Sequence, residues 1–132
     1  MDQTVEGLQY LHQLYQSQYM LLTQEINAML DELAKLNNAQ KTVNSMDDVK
    51  NRNALMPLGG DIYLDASIGD SKSVIISVGG GYLIEQTIDE AKQFINKQAQ
   101  KQTQEINSMM KNKRELEQAV LEISYRLEQI SH

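Results

Sequence analysis

Chain-breaking residues are confined to one stretch of this sequence. Pro57, the only proline, and six of the seven glycines, at positions 59, 60, 69, 79, 80 and 81, all fall between 57 and 81. The flanks hold one glycine, Gly7. Helix interiors exclude proline and disfavour glycine, whereas tight turns use both. The chain therefore reads as helix over about 4–50, β segment over about 54–87 and helix over about 88–130.

Both flanks carry a seven-residue period. In the first, one column is Val5, His12, Tyr19, Ile26, Leu33, Gln40 and the other Leu8, Tyr15, Leu22, Met29, Leu36, Val43. In the last, the columns are Ile88, Ile95, Gln102, Met109, Leu116, Ile123, Ile130 and Lys92, Ala99, Ile106, Lys113, Val120, Leu127. Apolar residues or tyrosine fill ten of twelve positions in the first pair and ten of thirteen in the second. A period sustained this long predicts a left-handed coiled coil. Gln40, Lys92, Gln102 and Lys113 interrupt the columns. Polar seam residues either set register at some cost in stability or are simply tolerated where a two-helix seam is partly exposed.

The two seams match in length, about 57 and 63 Å at 1.5 Å per residue. With a β segment to reverse the chain, they can pair antiparallel, Val43 near Ile88 and Val5 near Ile130. Pairing of each helix with another chain is the alternative; the matching lengths favour the hairpin. The second helix has its own start signal. Thr87 and Glu90 form the capping-box pattern, and Asp89 adds an anion in the first turn.

Within the β segment, residues 61–68 (DIYLDASI) alternate, with Ile62, Leu64, Ala66 and Ile68 on one face and Asp61, Tyr63, Asp65 and Ser67 on the other. Gly69 to Lys72 forms a turn, Ser73–Val78 a strand with Val74, Ile76 and Val78 on one face, and Gly79 to Gly81 another turn into Tyr82–Gln86. Ala54–Leu58 is a further strand before Gly59. The fold class expected is thus α+β: a long antiparallel two-helix coiled coil with two β-hairpins at the end opposite the chain termini. Isolated hairpins are marginal in water and their edges need partners, so this segment implies an oligomer.

Little supports catalysis. There is no cysteine, which removes disulfides, thiolate metal sites and a thiol nucleophile. His12 occupies a seam position and His132 is the last residue. Gly79–Gly81 lead into a strand, whereas a phosphate loop must open a helix with Lys-Ser/Thr. Asp61, Asp65 and Asp70 read as a solvated face before they read as calcium ligands. No cofactor, metal or enzymatic activity is expected. The net charge of −6 argues against nucleic acid as partner. No apolar run has the length of a membrane span, and the N-terminus lacks a signal-peptide pattern, so a cytoplasmic protein is expected.

Apolar residues outside the seams carry the functional signal. Tyr10, Leu11, Leu14, Met20 and Leu21 lie off both columns of the first flank, as do Leu121 and Tyr125 in the last. An antiparallel hairpin brings the two sets to one tip. The first 24 residues carry Asp2 and Glu6 and no Lys or Arg. Two helices cannot bury a stripe this wide against each other, and contiguous exposed apolar surface marks a binding site. The bland reading is packing against another chain of a larger bundle.

The stretches MPLGGDIYLDASI (56–68) and SVGGGYLIEQTIDEAKQFI (77–95) resemble the α-class subunit of prefoldin. The helix–β–helix pattern extends that resemblance over essentially the whole chain, and two hairpins favour the α class over the β class. The resemblance implies a hexamer of two α-class and four β-class subunits, α2β4, whose hairpins form an oligomeric β-barrel. It implies an ATP-independent holdase that passes unfolded client polypeptide to a group II chaperonin. The substrate-contact candidates are then Leu8, Leu11, Leu14, Tyr15, Leu121, Tyr125, Leu127 and Ile130. The oligomer-interface candidates are Leu58, Ile62, Leu64, Ile68, Val74, Ile76, Val78, Tyr82 and Ile84. Gln and Asn replace many of the charged residues typical of archaeal arms, which puts ion-pair networks in doubt. A structural coiled-coil adaptor, docking one fixed partner, is the competing expectation.

Overall fold

The computed structural model describes residues 4–49, 51–69 and 72–130, apart from the side chains at 47 and 49. Helix α1 spans Val5–Asn44 and a single turn, α2, spans Met46–Val49. Strands β1 (Asn53–Gly59), β2 (Ile62–Ser67), β3 (Ser73–Gly79) and β4 (Tyr82–Thr87) follow, and α3 runs over Ile88–Ile130. Of the turn expected at Gly69 to Lys72, Asp70 and Ser71 lie outside the described residues, as does His132.

Helix ends are where the sequence placed capping groups. Thr4 Oγ1 accepts from the Gly7 N–H at 3.0 Å and so caps α1. At the start of α3 the capping box forms in both directions. The Thr87 N–H donates to Glu90 Oε1 and the Glu90 N–H donates to Thr87 Oγ1, each at 3.1 Å. The Thr87 backbone N–H, and to a lesser degree its hydroxyl, holds the Glu90 carboxyl below its ordinary pKa. The break between α1 and α2 falls at Ser45, whose hydroxyl donates to the carbonyls of Lys41 and Thr42. A serine there offers the backbone an alternative to the next helical bond.

The chain forms two compact units, one built from residues up to Ala34 together with those from Gln100 onward, the other from Lys35–Ala99. In the first unit the helices run antiparallel. Leu127 of α3 shares a hollow with residues 6–16 of α1, whereas Lys113 lies over Tyr19. Moving forward along α1 thus means moving backward along α3. Leu8, Ile26, Ile106 and Ile123, all seam residues, are buried here. Each buried aliphatic side chain contributes roughly 1.5–3 kcal/mol, and the heptad spacing keeps them on one stripe.

The second unit contains the remainder of the helix pair and both hairpins. Ala91 and Ile95 are buried, and the Gln40 side-chain amide donates to Asn96 Oδ1 across the helices. The seam glutamine therefore has a partner on α3. Strands β1 and β2 pair antiparallel, as do β3 and β4, in separate two-stranded sheets. Backbone bonds from Asn51 to Ile68 and from Ile68 to Arg52 close the base of the first hairpin.

Both hairpin turns use the same device. Gly59, Gly60 and Asp61 all have positive φ, as do Gly79, Gly80 and Gly81, and each ladder shifts register beside the turn. Two consecutive left-handed residues give a turn whose twist matches that of the strands. Glycine adopts this conformation freely and aspartate tolerates it, which accounts for the two glycine clusters.

Candidate functional site

Three hollows adjoin one another along α1 in the first unit. Gln16 and Tyr19 form one of about 220 Å³ with Glu117, Val120 and Leu121 of α3. Glu6, Gln9, Tyr10, Gln13 and Gln16, with Leu127 opposite, line one of about 590 Å³. Tyr10, Gln13, Leu14 and Ser17 line a third of about 250 Å³. Shared Gln16, Tyr10 and Gln13 make them one continuous, shallow surface.

The surface is apolar where the helix turns away from the seam. Tyr10 is 66% exposed, Met20 and Leu21 nearly as much, and on α3 Leu121 and Tyr125 are each 63% exposed. Tyr10, Leu14 and Leu21 follow one another at spacings of four and seven, so they share a face. Charge is scarce: between Val5 and Gln24, α1 carries Glu6 and no other ionisable acid or base except tyrosine and His12. On α3, Arg126 engages Glu122 one turn earlier at 2.9 Å, an exposed pair within one helix.

The eight substrate-contact candidates divide by exposure. Leu14, Leu121, Tyr125 and Ile130 are exposed; Leu11, Tyr15 and Leu127 are half-buried. Leu8 is 2% exposed, so its side chain packs the seam and offers no surface unless the helices part. Tyr10, Met20 and Leu21, singled out by their off-seam positions but absent from the eight, are among the most exposed apolar residues of this unit.

The hairpins form a second uncovered apolar surface. Of the interface candidates, Leu58, Ile62, Leu64, Val78, Tyr82 and Ile84 are exposed, Tyr82 at 74%, while Ile68, Val74 and Ile76 are half-buried. Register sets the faces. Met56 opposes Leu64 in one ribbon and Ile76 opposes Ile84 in the other. The opposite faces also expose apolar residues, Leu55 and Tyr63 on one ribbon and Ile75 and Leu83 on the other. Strand alternation shows where these residues point but gives no reason to leave them bare. Among the described residues, no cluster of three or more His, Asp or Glu is placed to hold a metal ion. No described helix is long and apolar enough to cross a membrane.

Two long paired helices linked by two-stranded ribbons, with apolar surface left open on each, describe a subunit of an assembly rather than a self-sufficient globule. A family model described as prefoldin subunit matches residues 15–132. The chain belongs to the prefoldin family, whose subunits assemble with one another as chaperones. It is 26% identical over 131 residues to prefoldin subunit alpha of Pyrococcus horikoshii, covering 98% of this chain and 88% of that one. It is 30% identical over 122 residues to human prefoldin subunit 5, covering 83% and 79%. Its fold is similar to a chain of filamentous PFD from Methanocaldococcus jannaschii, solved by cryo-electron microscopy. That likeness has a TM-score of 0.61 at 23% identity and covers 92% of this chain and 95% of the other.

Proposed function

We propose that this chain is the α-class subunit of a cytoplasmic α2β4 holdase. It captures unfolded polypeptide on its helix tips without ATP and releases it to a group II chaperonin. The observation that carries the reading is the open face around Tyr10, Leu14, Leu121 and Tyr125, apolar, poor in charge on the α1 side and uncovered within the chain. In this reading the exposed ribbon faces, with Ile62, Leu64 and Ile84, are covered by neighbouring subunits in a β-barrel platform.

The mechanism is differential burial. At about 25 cal/mol per Å², a few hundred Å² covered on one tip leaves little net affinity after the cost of association. Several tips on one platform raise it through effective concentration. Unfolded chains present many apolar segments and folded ones few, so selection needs no sequence code. Light scattering of an aggregating client, with the assembled complex added in increasing ratio, tests the reading. Suppression of aggregation is expected; none at any excess leaves the adaptor alternative.

A further inference from the structure

The open face of α1 has two chemically distinct columns. Tyr10, Leu14, Ser17 and Leu21 follow a 4-3-4 spacing, and Gln9, Gln13, Gln16 and Met20 follow the same spacing one residue earlier. Each set is therefore one stripe on the helix, and the two stripes stand about 100° apart round its axis while bordering the same hollows. The first stripe is the exposed apolar one. The second places three carboxamides along the same hollows, all three glutamines exposed, and none held by a side-chain hydrogen bond among the described residues.

This pairing answers a problem that an apolar surface alone creates. An extended polypeptide laid on such a surface loses water from its backbone N–H and C=O groups as well as from its side chains. Backbone groups buried without partners oppose binding strongly. Helices and sheets satisfy their own backbone; an unfolded segment does not. A glutamine carboxamide is both donor and acceptor, and so can pair with either backbone group whatever the sequence. The stripe from Gln9 to Met20 is about 16 Å long, enough for about five residues of extended chain. Between Gln9 and Met20, α1 carries no Asp, Glu, Lys or Arg, with Glu6 and Glu117 at the borders of the hollows, and this fits a neutral segment.

Resting on the holdase reading above, we propose that Gln9, Gln13 and Gln16 form a backbone-recognition ladder for an extended, uncharged client segment. The segment's apolar side chains lie on the Tyr10–Leu14–Leu21 stripe. The glutamines are specificity-determining: they favour chains whose backbone amides are unpaired, which separates an unfolded segment from an amphipathic helix of equal apolarity.

The test uses the assembled complex containing the full chain and a fluorescent peptide of alternating leucine and serine. A twin peptide is N-methylated at alternate backbone nitrogens, which removes donors but keeps the side chains. The variant is Gln9→Met, Gln13→Met, Gln16→Met, similar in shape and helix propensity and more apolar. Anisotropy titration of the wild type is expected to show about tenfold weaker binding of the methylated twin, the scale of one or two lost hydrogen bonds. The variant is expected to bind the unmethylated peptide more weakly than wild type and to discriminate the twins by less than about twofold. Equal discrimination by wild type and variant, or tighter binding by the variant, overturns the ladder and leaves the holdase reading standing. Failure of both peptides to bind the wild-type complex overturns the holdase reading and the ladder with it.

Discussion

The ammonium of Lys113 lies 5.3 Å from the centre of the Tyr19 ring, across the helix pair. Lys113 interrupts an apolar seam column, and this contact shows how the interruption is accommodated: the aliphatic stem packs in the seam and the charge rests on an aromatic face. Removing either side should expose the coupling. Lys113→Ala is expected to cost about 0.5–1 kcal/mol more in the native background than in a Tyr19→Leu background, where only the packing of the stem is lost. Chemical denaturation of the four proteins in the cycle measures it; equal costs in both backgrounds would show that the lysine acts through packing alone.

The seam glutamine Gln102 is in a different position from Lys113. Its Oε1 is buried and makes no hydrogen bond among the described residues. A buried acceptor without a partner lowers stability by about 1–3 kcal/mol, and a leucine of similar size has no such acceptor. Gln102→Leu is therefore expected to raise the melting temperature, while Gln40→Leu, which deprives Asn96 of its partner, is expected to gain less. A lower melting temperature for Gln102→Leu would mean that the amide is satisfied in the assembled protein.

Much of this was legible in the sequence, for a definite reason. The heptad columns, the glycine clusters and the Thr87–Glu90 box are local patterns, and each acts through neighbours within a few residues. Contacts that depend on the pairing of distant segments were not legible. Which α3 residue meets Tyr19, or that Gln40 finds Asn96 while the Gln102 Oε1 finds no partner among the described residues, follows from the helix register. No periodic pattern marks Ala91, yet at 1% exposed it is the most buried of the core residues. The candidate site was half legible. Off-seam position located Tyr10, Leu14, Leu121 and Tyr125, but Leu8 is drawn into the seam because its column is the seam itself.

The capping box makes a prediction with a defined sign in pH. The Glu90 carboxyl has its pKa lowered by hydrogen bonds from Thr87. A carboxyl whose folded pKa lies below its unfolded value adds stability above the unfolded pKa, and that stability is lost as pH falls through the folded pKa. Glu90→Ala is thus expected to lower the melting temperature at neutral pH, with the difference from wild type shrinking as the solution is acidified below the unfolded pKa. A difference unchanged by acid would assign the effect to helix propensity rather than to the charged cap.

The ribbons test assembly. Ile62 is exposed within the chain and Ile76 half-buried, each on a face proposed to meet neighbouring subunits. Ile62→Asp with Ile76→Asp puts two carboxylates where an apolar contact would form, and unpaired buried charge is strongly unfavourable. The mass of the complex formed with β-class subunits, measured by light scattering, is expected to fall to that of unassembled chains. A complex of undiminished mass would remove these faces from the interface.

Leu8 and the open face separate stability from client binding. Leu8 is buried in the seam, so Leu8→Ala leaves a cavity and is expected to cost about 2–3 kcal/mol. Tyr10, Leu121 and Tyr125 are about two-thirds exposed and Leu14 38%, so serine at all four is expected to lower the melting temperature through lost packing and helix propensity while leaving the mass of the complex unchanged. Their removal takes away most of the apolar area that a client would cover. The fourfold variant is expected to lose at least tenfold in suppression of client aggregation, a change of about 1.4 kcal/mol in binding. Leu8→Ala, measured well below its melting temperature, is expected to lose less than the fourfold variant because the outer face persists while the helices stay paired. If the two variants behaved the other way round, with Leu8→Ala abolishing client holding and the fourfold variant retaining it, the binding surface would be the parted seam and not the outer face.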